Sequence, residues 1–388
     1  MEKRVSDIFR LMRPFNKNER RTIRELSKFL DKKEMGDVKY LLKLRKVYIE
    51  IKQITIVNFS YPVIKALDKE SKEAKKIAEY YNNKINETIS RELFSEFSKK
   101  SEKIKEYIAP NIEGFGDIKE ASMLLLFSEK MHILLLGDPG TGKTEILRYV
   151  DKLAPISSFG LGSGTSGVGL SINVQGKEVT KGLLPLANNG VCCIDELNLM
   201  KKQDMASLYN AMEKGFVTYD KGKTHIRMDA KIKVLATANP RGDKFEGKKK
   251  EKIREQLPFD PALLTRFHIV FFIRKPDIEK FMKITRKIVR DEKINIKEED
   301  IHFIKKYIEY AKSIDVGLEP EFEAKIIEFV EEIKKDENSF IVDITPRIVK
   351  GIINIAKANA RLHLRNKTSR EDIEKAINIL KHSLYNVY

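Results

Sequence analysis

Residues 137–144 carry the most specific chemical signal in this sequence. Gly137-Asp138-Pro139-Gly140-Thr141-Gly142-Lys143-Thr144 fits G-x-x-x-x-G-K-[ST] at every position. An apolar run, His132–Leu136, leads in, and Glu145–Val150 reads as a helix leading out. Glycines let the backbone wrap tightly, so that its N–H groups converge on phosphate oxygens. The N-terminus of the following helix adds positive potential at the same point. The chemistry implied is capture of ATP with Mg2+. Contacts run from Gly137 through Thr144 to Glu145, with Lys143 reaching the β and γ phosphates and Thr144 holding the metal.

Two further segments supply what hydrolysis needs. Val191–Ile194 is an apolar run that ends in Asp195 and Glu196, about fifty residues after the loop. Asp195 is placed to hold the magnesium shell through water, and Glu196 to orient and deprotonate an attacking water. Lys233–Ala238 is a second apolar run, followed by Asn239-Pro240. Asn239, at the end of a buried strand beside the loop, can position that water; an Asn before Pro is also an ordinary turn signal. The adjacent Cys192 and Cys193 read as small buried hydrophobes with no chemistry of their own.

The elements that must position these groups follow from periodicity. From about residue 107 to 276, short apolar runs bounded by loops alternate with helical patterns: His132–Leu136, Gly190–Ile194, Lys233–Ala238 and Ile269–Ile273. Such runs suggest buried parallel strands in an α/β architecture. Residues 1–105 read as mostly helical. Val5, Ile8, Phe9 and Met12 share one helical face, and Ile23, Leu26, Phe29 and Leu30 another. A short β-like run follows at Val47–Ile51, and 68–107 reads as long charged helices. After Pro276 the pattern predicts helices over 277–291, 298–312, 319–335, 345–361 and 369–384, with Thr345 as cap and Pro346 in the first turn of one.

The 388 residues suffice for two or three compact units, and the net charge is +17. Residues 1–108 hold 27 Lys/Arg against 17 Asp/Glu, so the basic surplus is concentrated there. That surplus suits a polyanion, whereas solvated helices of a heat-adapted protein would show the same composition. Two adjacent cysteines form neither a disulfide framework nor a four-cysteine zinc site. The first residues lack a signal-peptide apolar core, and no apolar stretch approaches membrane-spanning length. The expectation is a soluble, cytoplasmic protein with no membrane partner.

Taken together, these segments resemble AAA+ ATPases, and within them the minichromosome maintenance (MCM) family. Ile108-Ala109-Pro110-Asn111-Ile112-Glu113-Gly114 and Asp117-Ile118-Lys119 are similar to that family's lead-in to the nucleotide site. Gly137–Thr144 with Leu147–Val150 looks like its phosphate loop and helix, and Ala187–Glu196 its magnesium segment. Ala238-Asn239-Pro240 resembles its first sensor, Leu263-Leu264-Thr265-Arg266-Phe267 its arginine-finger segment, and Ile344-Thr345-Pro346-Arg347 its second sensor. The resemblance covers about 107–384.

It implies a three-layer αβα P-loop AAA+ core over 107–276 and a helical lid over 277–388, after a mostly helical, basic N-terminal domain and linker over 1–106. It also implies a homo-oligomeric, hexameric ring with ATP sites between subunits. Arg266 would enter the neighbour's site, and Arg347 would act across the same interface. Residues 159–183 look like the family's insert in the second helix, and 216–232 like its DNA-facing hairpin. Lys221 aligns with a lysine that meets single-stranded DNA in the central channel, with Lys223 beside it. Gly142, Thr144 and His268 stand where the family commonly has alanine, serine and aspartate. The family's OB-fold and zinc region and its C-terminal winged helix have no counterpart in the sequence, so the chain reads as a truncated or divergent relative. The function implied is an ATP-hydrolysing DNA motor or helicase of replication; an ATP-binding or protein-remodelling ring without helicase activity is the alternative.

Overall fold

The computed structural model describes residues 13–385, other than 68–71, 176–177, 222–223, 243, 248–249, 276–277, 279–281, 283–284, 287–288 and 290–295. The chain forms two compact units, Met1–Lys100 with Ile296–Phe303, and Ser101–Asn295 with Ile304–Tyr388.

In the first unit, helices Lys17–Leu26 and Lys32–Lys43 both begin at a capping box. Asn16 and Glu19 exchange backbone and side-chain hydrogen bonds, as do Asp31 and Glu34. An antiparallel hairpin follows, β1 (Val47–Ile54) with β2 (Phe59–Ala66), and then helix Lys72–Ser98. The sequence pattern pointed only to the start of β1. Pro62 inside β2 obscures the second strand, because proline cannot donate to a ladder. It is tolerated here because a two-stranded sheet consists of edges. Ile23 and Leu26 lie on the first helix, which ends before Phe29 and Leu30; Val5, Ile8, Phe9 and Met12 lie outside the described residues.

The second unit is built on a five-stranded parallel sheet. Its order is β11 (Ile269–Ile273), β3 (His132–Gly137), β10 (Lys233–Ala238), β7 (Val191–Asp195), β4 (Ser157–Leu161). Every residue of β3, β7, β10 and β11 is buried, so both faces of the sheet are covered, as a parallel sheet requires. The order matters for chemistry: β10 lies between the loop strand β3 and the carboxylate strand β7, so Asn239 emerges between them. The edge strand β4 was not anticipated. Ser157, Ser158 and Gly160 give it no apolar run, and its last residues fall in what reads as an insert.

That insert is a hairpin, β5 (Ile172–Gln175) with β6 (Glu178–Lys181), between one-turn helices Gly167–Leu170 and Leu183–Leu186. A second hairpin pairs β8 (Phe216–Lys221) with β9 (Thr224–Asp229).

Helices Glu298–Lys312, Glu323–Lys335, Pro346–Leu362 and Arg370–Tyr385 match the periodic segments of the sequence, with a 3-10 turn, Pro320–Phe322, opening the second. The segment 277–291 lies largely outside the described residues. Thr345 occupies the cap position before Pro346 but makes no side-chain cap bond. The buried guanidinium of Arg361 donates to Phe127 O at 3.0 Å and Ile314 O at 3.0 Å and pairs with Glu129 at 2.6 Å. It thereby satisfies a carbonyl at the end of helix Gly116–Phe127, where a cation is favoured. No helix among the described residues is long and apolar enough to cross a membrane.

Candidate functional site

The phosphate loop starts where β3 runs out. Gly137 closes the strand so tightly against β11 that a Cβ there would lie 2.1 Å from Ile273 O. Asp138 then fixes the loop. Its N–H donates to Ile273 O at 2.9 Å, and its carboxylate accepts from Phe245 N at 2.8 Å and Lys275 N at 3.0 Å. With its N–H and its carboxylate both committed to protein partners, Asp138 shapes the loop and has no donor left for a phosphate. Pro139 has no N–H to offer. Thr141 Oγ1 donates to Asp138 O at 2.9 Å, closing the turn. Gly140 and Gly142 take φ of 76° and 85°, the left-handed region in which side chains are strained. Helix Lys143–Leu153 begins directly after. Glu145 lies in the first turn of that helix and pairs with Arg148 at 3.2 Å on the exposed side.

Lys143 is 7% exposed and donates to Gly137 O at 2.8 Å and Asp138 O at 2.6 Å. Burial pushes its pKa down to about 8, against the pull of Asp138, Asp195 and Glu196. Thr144 Oγ1 lies 3.2 Å from Asp195 Oδ1. A hydroxyl and a carboxylate are hard oxygen donors that suit magnesium, which usually takes one or two protein oxygens and fills its octahedron with phosphate and water. Thr144 and Asp195, one hydroxyl and one carboxylate 3.2 Å apart, fit that pattern.

Glu196 sits at φ 53°, ψ 46°, left-handed for a non-glycine residue, at a cost of order 1–3 kcal/mol. Its surroundings hold it there. Its N–H donates to Thr237 Oγ1 at 2.9 Å, and Gly162 N donates to Asp195 O at 2.7 Å. A Cβ on Gly162 would meet Glu196 O at 2.2 Å. Thr237 also donates to Asp195 Oδ1, so one buried hydroxyl positions both carboxylate residues. Sequence reasoning missed Thr237; its signal was the single hydroxyl in the apolar run of β10. Asn198 was missed likewise: its Oδ1 accepts from Asn239 N at 2.9 Å, tying the ends of β7 and β10 together. Lys143, Thr144, Asp195, Glu196 and Asn239 are thus brought together at the carboxyl ends of β3, β7 and β10, where open α/β sheets bind ligands. Cys192 and Cys193 are buried and free, their thiols pushed up by burial, to about 11 for Cys192.

Arg266 and Arg347 lie elsewhere. Arg266 precedes β11, and His268 N donates to His132 O at 2.9 Å, which marks the amino ends of both strands. Arg266 packs over the Tyr209 ring at 4.6 Å, donates to Ala262 O and pairs with Glu213 at 3.3 Å. Arg347 donates to Arg266 O at 3.2 Å and approaches the other oxygen of Glu213 at 3.8 Å. The two arginines are therefore together at the end of the sheet opposite the phosphate loop. β11 is five residues long, so roughly 16 Å of strand separates the two ends. Beneath them, His132 and His268 are both acceptors. His268 Nδ1 takes His132 N–H at 3.0 Å, and His132 Nδ1 takes Val234 N–H at 3.2 Å. Burial holds both rings neutral, with His268 pushed down to about 4 and His132 well below its ordinary value. Lys221 ends β8 opposite Thr224; its side chain and all of Lys223 lie outside the described residues.

Residues 87–292 match the MCM P-loop domain and residues 302–384 the MCM AAA-lid domain. The chain is 30% identical over 298 residues to the minichromosome maintenance protein MCM of Saccharolobus solfataricus, covering 71% of this chain and 43% of that protein. It is 30% identical over 311 residues to the DNA replication licensing factor mcm7-B of Xenopus laevis, with 73% and 43% covered. Against the DNA replication licensing factor MCM4 of Arabidopsis thaliana the identity is 29% over 322 residues, with 74% and 38% covered. The chain thus spans less than half the length of these relatives.

Proposed function

This chain belongs to the minichromosome maintenance family, and from that premise we propose that it is a cytoplasmic ATP-driven DNA motor of replication, working as a homo-hexameric ring. In functional terms residues 1–106 are the basic N-terminal domain, 107–276 the AAA+ core and 277–388 the lid. The observation that carries the reading is the convergence of Lys143, Thr144, Asp195, Glu196 and Asn239 at the carboxyl ends of β3, β7 and β10, with Thr144 and Asp195 only 3.2 Å apart.

Backbone N–H groups of 140–145 cradle the phosphates, and Lys143 turns from its loop carbonyls to their oxygens. Thr144 and Asp195 hold magnesium, which supplies charge neutralisation across the phosphates when bound. Glu196, held in its strained geometry by Thr237, takes a proton from the attacking water, and Asn239 orients that water. Arg266 and Arg347 lie a strand's length from their own chain's loop, which favours action on the site of a neighbouring copy. Lys221 and Lys223 meet the DNA strand through its phosphates and carry little sequence information.

ATPase rate with and without single-stranded DNA, on the ATP-bound assembly sized in parallel, tests the reading. We expect a ring whose turnover changes with DNA, and a Glu196→Gln variant that retains ATP without cleaving it. Equal, negligible turnover in parent and Glu196→Gln would overturn the enzyme reading.

A further inference from the structure

We propose that the exposed face of helix Lys32–Lys43, in the N-terminal unit, docks duplex DNA. This inference does not depend on the ATP site. The helix is the second of a helix–turn–helix pair, after Lys17–Leu26 and the turn at 27–31, and is followed by the β1–β2 hairpin. In that arrangement the second helix is the one that enters the major groove. Its inner face is apolar: Met35, Val38, Leu41 and Leu42 are buried. Its acidic residues are taken up locally. Glu34 pairs with Lys84, Asp37 accepts from Tyr81 Oη at 2.9 Å, and Asp31 caps the helix by accepting from Glu34 N at 2.9 Å. The outward residues are Lys32, Lys33, Gly36, Asp37, Lys39 and Tyr40, the last 52% exposed, so lysines outnumber the one carboxylate three to one. Among the described residues, none of these three lysines forms an ion pair.

Gly36 is the second, independent observation. It sits inside the helix, and no atom of the described residues lies within 4 Å of where its Cβ would be. A glycine in a helix interior costs about 1 kcal/mol relative to alanine, and no packing among the described residues requires it. A notch at the centre of a lysine-bearing face does make sense if another backbone must approach closely. A helix is about 10–12 Å across, and the major groove about 12 Å wide, so removing one side chain lets the helix seat deeper.

The shape argues for a duplex over a single strand. Single strands are held in basic grooves lined by several stacking aromatics, whereas this face is convex with one tyrosine. An anionic membrane would want exposed apolar residues along the helix, and those of this helix face inward. The hairpin acts as a brace. Thr55 N and Ile56 N at its tip donate to Asp300 Oδ1 at 2.6 and 3.1 Å, and Lys52 pairs with Glu299 at 2.7 Å.

The test uses the full chain without nucleotide and a labelled duplex of about 20 base pairs, its affinity measured by anisotropy across a salt series. Each lost phosphate contact removes about 0.9 from the log–log salt slope, so K32A/K33A/K39A should flatten it by about 2.7. Duplex affinity should fall at least about tenfold, with DNA-free ATPase rate and single-strand affinity within about twofold of the parent. Gly36→Gln separates docking from stability: it should raise the melting temperature, since glutamine is the better helix former, yet weaken duplex binding. An unchanged salt slope in the triple variant would overturn the proposal. So would Gly36→Gln binding duplex as tightly as the parent, or loss of anionic-vesicle binding with duplex binding intact.

Discussion

The two ends of the parallel sheet use the same strands for opposite chemistry. At the carboxyl ends, β3, β7 and β10 present amide N–H groups, one buried ammonium and two carboxylates within a few ångströms. At the amino ends, the segment leading into β11 and the helix Pro346–Leu362 each present an arginine to Glu213, over a pair of neutral histidines. The first end gathers amide donors, an ammonium and hard oxygen ligands; the second gathers two cations on one carboxylate. Because a strand's length lies between them, neither end completes the other within one chain. A ring of copies would join amino end to carboxyl end at each interface, and that comparison can be broken or sharpened by experiment.

The largest effect is expected at the arginine end. Arg266→Ala should lower turnover by roughly 10³-fold or more while leaving nucleotide affinity nearly unchanged. Mixing it with Lys143→Ala should restore activity at interfaces that combine an intact loop with an intact arginine. A uniform Arg266→Ala preparation that turns over normally would end the two-copy interpretation. Next comes the hydroxyl that positions both carboxylate residues: Thr237→Val should cut kcat about 10- to 100-fold with a small change in KM. Steady-state kinetics alongside a melting curve would separate this from simple unfolding.

The two ends also titrate in different windows. Lys143, held at about 8, must regain a proton to grip phosphate, so ATP affinity should fall up to about tenfold per pH unit above about 8. Calorimetry in two buffers would register the proton uptake. At the other end, His268 is neutral down to about 4, whereas the unfolded chain protonates near 6.5. The unfolded state therefore binds more protons between those values, and stability falls with acid across that window, by on the order of 3 kcal/mol. Denaturation midpoints at several pH values should show this slope, reduced in His268→Asn. The smallest effect belongs to Gly142→Ala. At φ 85°, with Ile112 Cδ1 3.0 Å from the new Cβ, it should cost about 1 kcal/mol. A normal melting temperature and ATP affinity would show that the loop relaxes at no cost.

Much of the carboxyl-end site was legible because its signals are local. A glycine loop between an apolar run and a helix, and an apolar run ending in Asp195-Glu196, are contiguous in sequence and demanded by backbone sterics. The strands β10 and β11 and four lid helices were legible for the same reason, since burial imposes periodicity. Edge elements were not: β4 is polar, and β2 contains Pro62.

By itself, then, the sequence determined the local backbone of the phosphate loop, the identity of the carboxylates and the family of the fold. Only the tertiary structure decided that Thr237 bridges Asp195 and Glu196, that the carboxylate of Asp138 is spent on protein partners, and that Gly36 faces outward among lysines. It also decided that Arg266 and Arg347 share Glu213 at the far end. Hydrogen bonds between strands depend on register and on strand order, which bring residues tens of positions apart within 3 Å, and no short window of sequence carries that information.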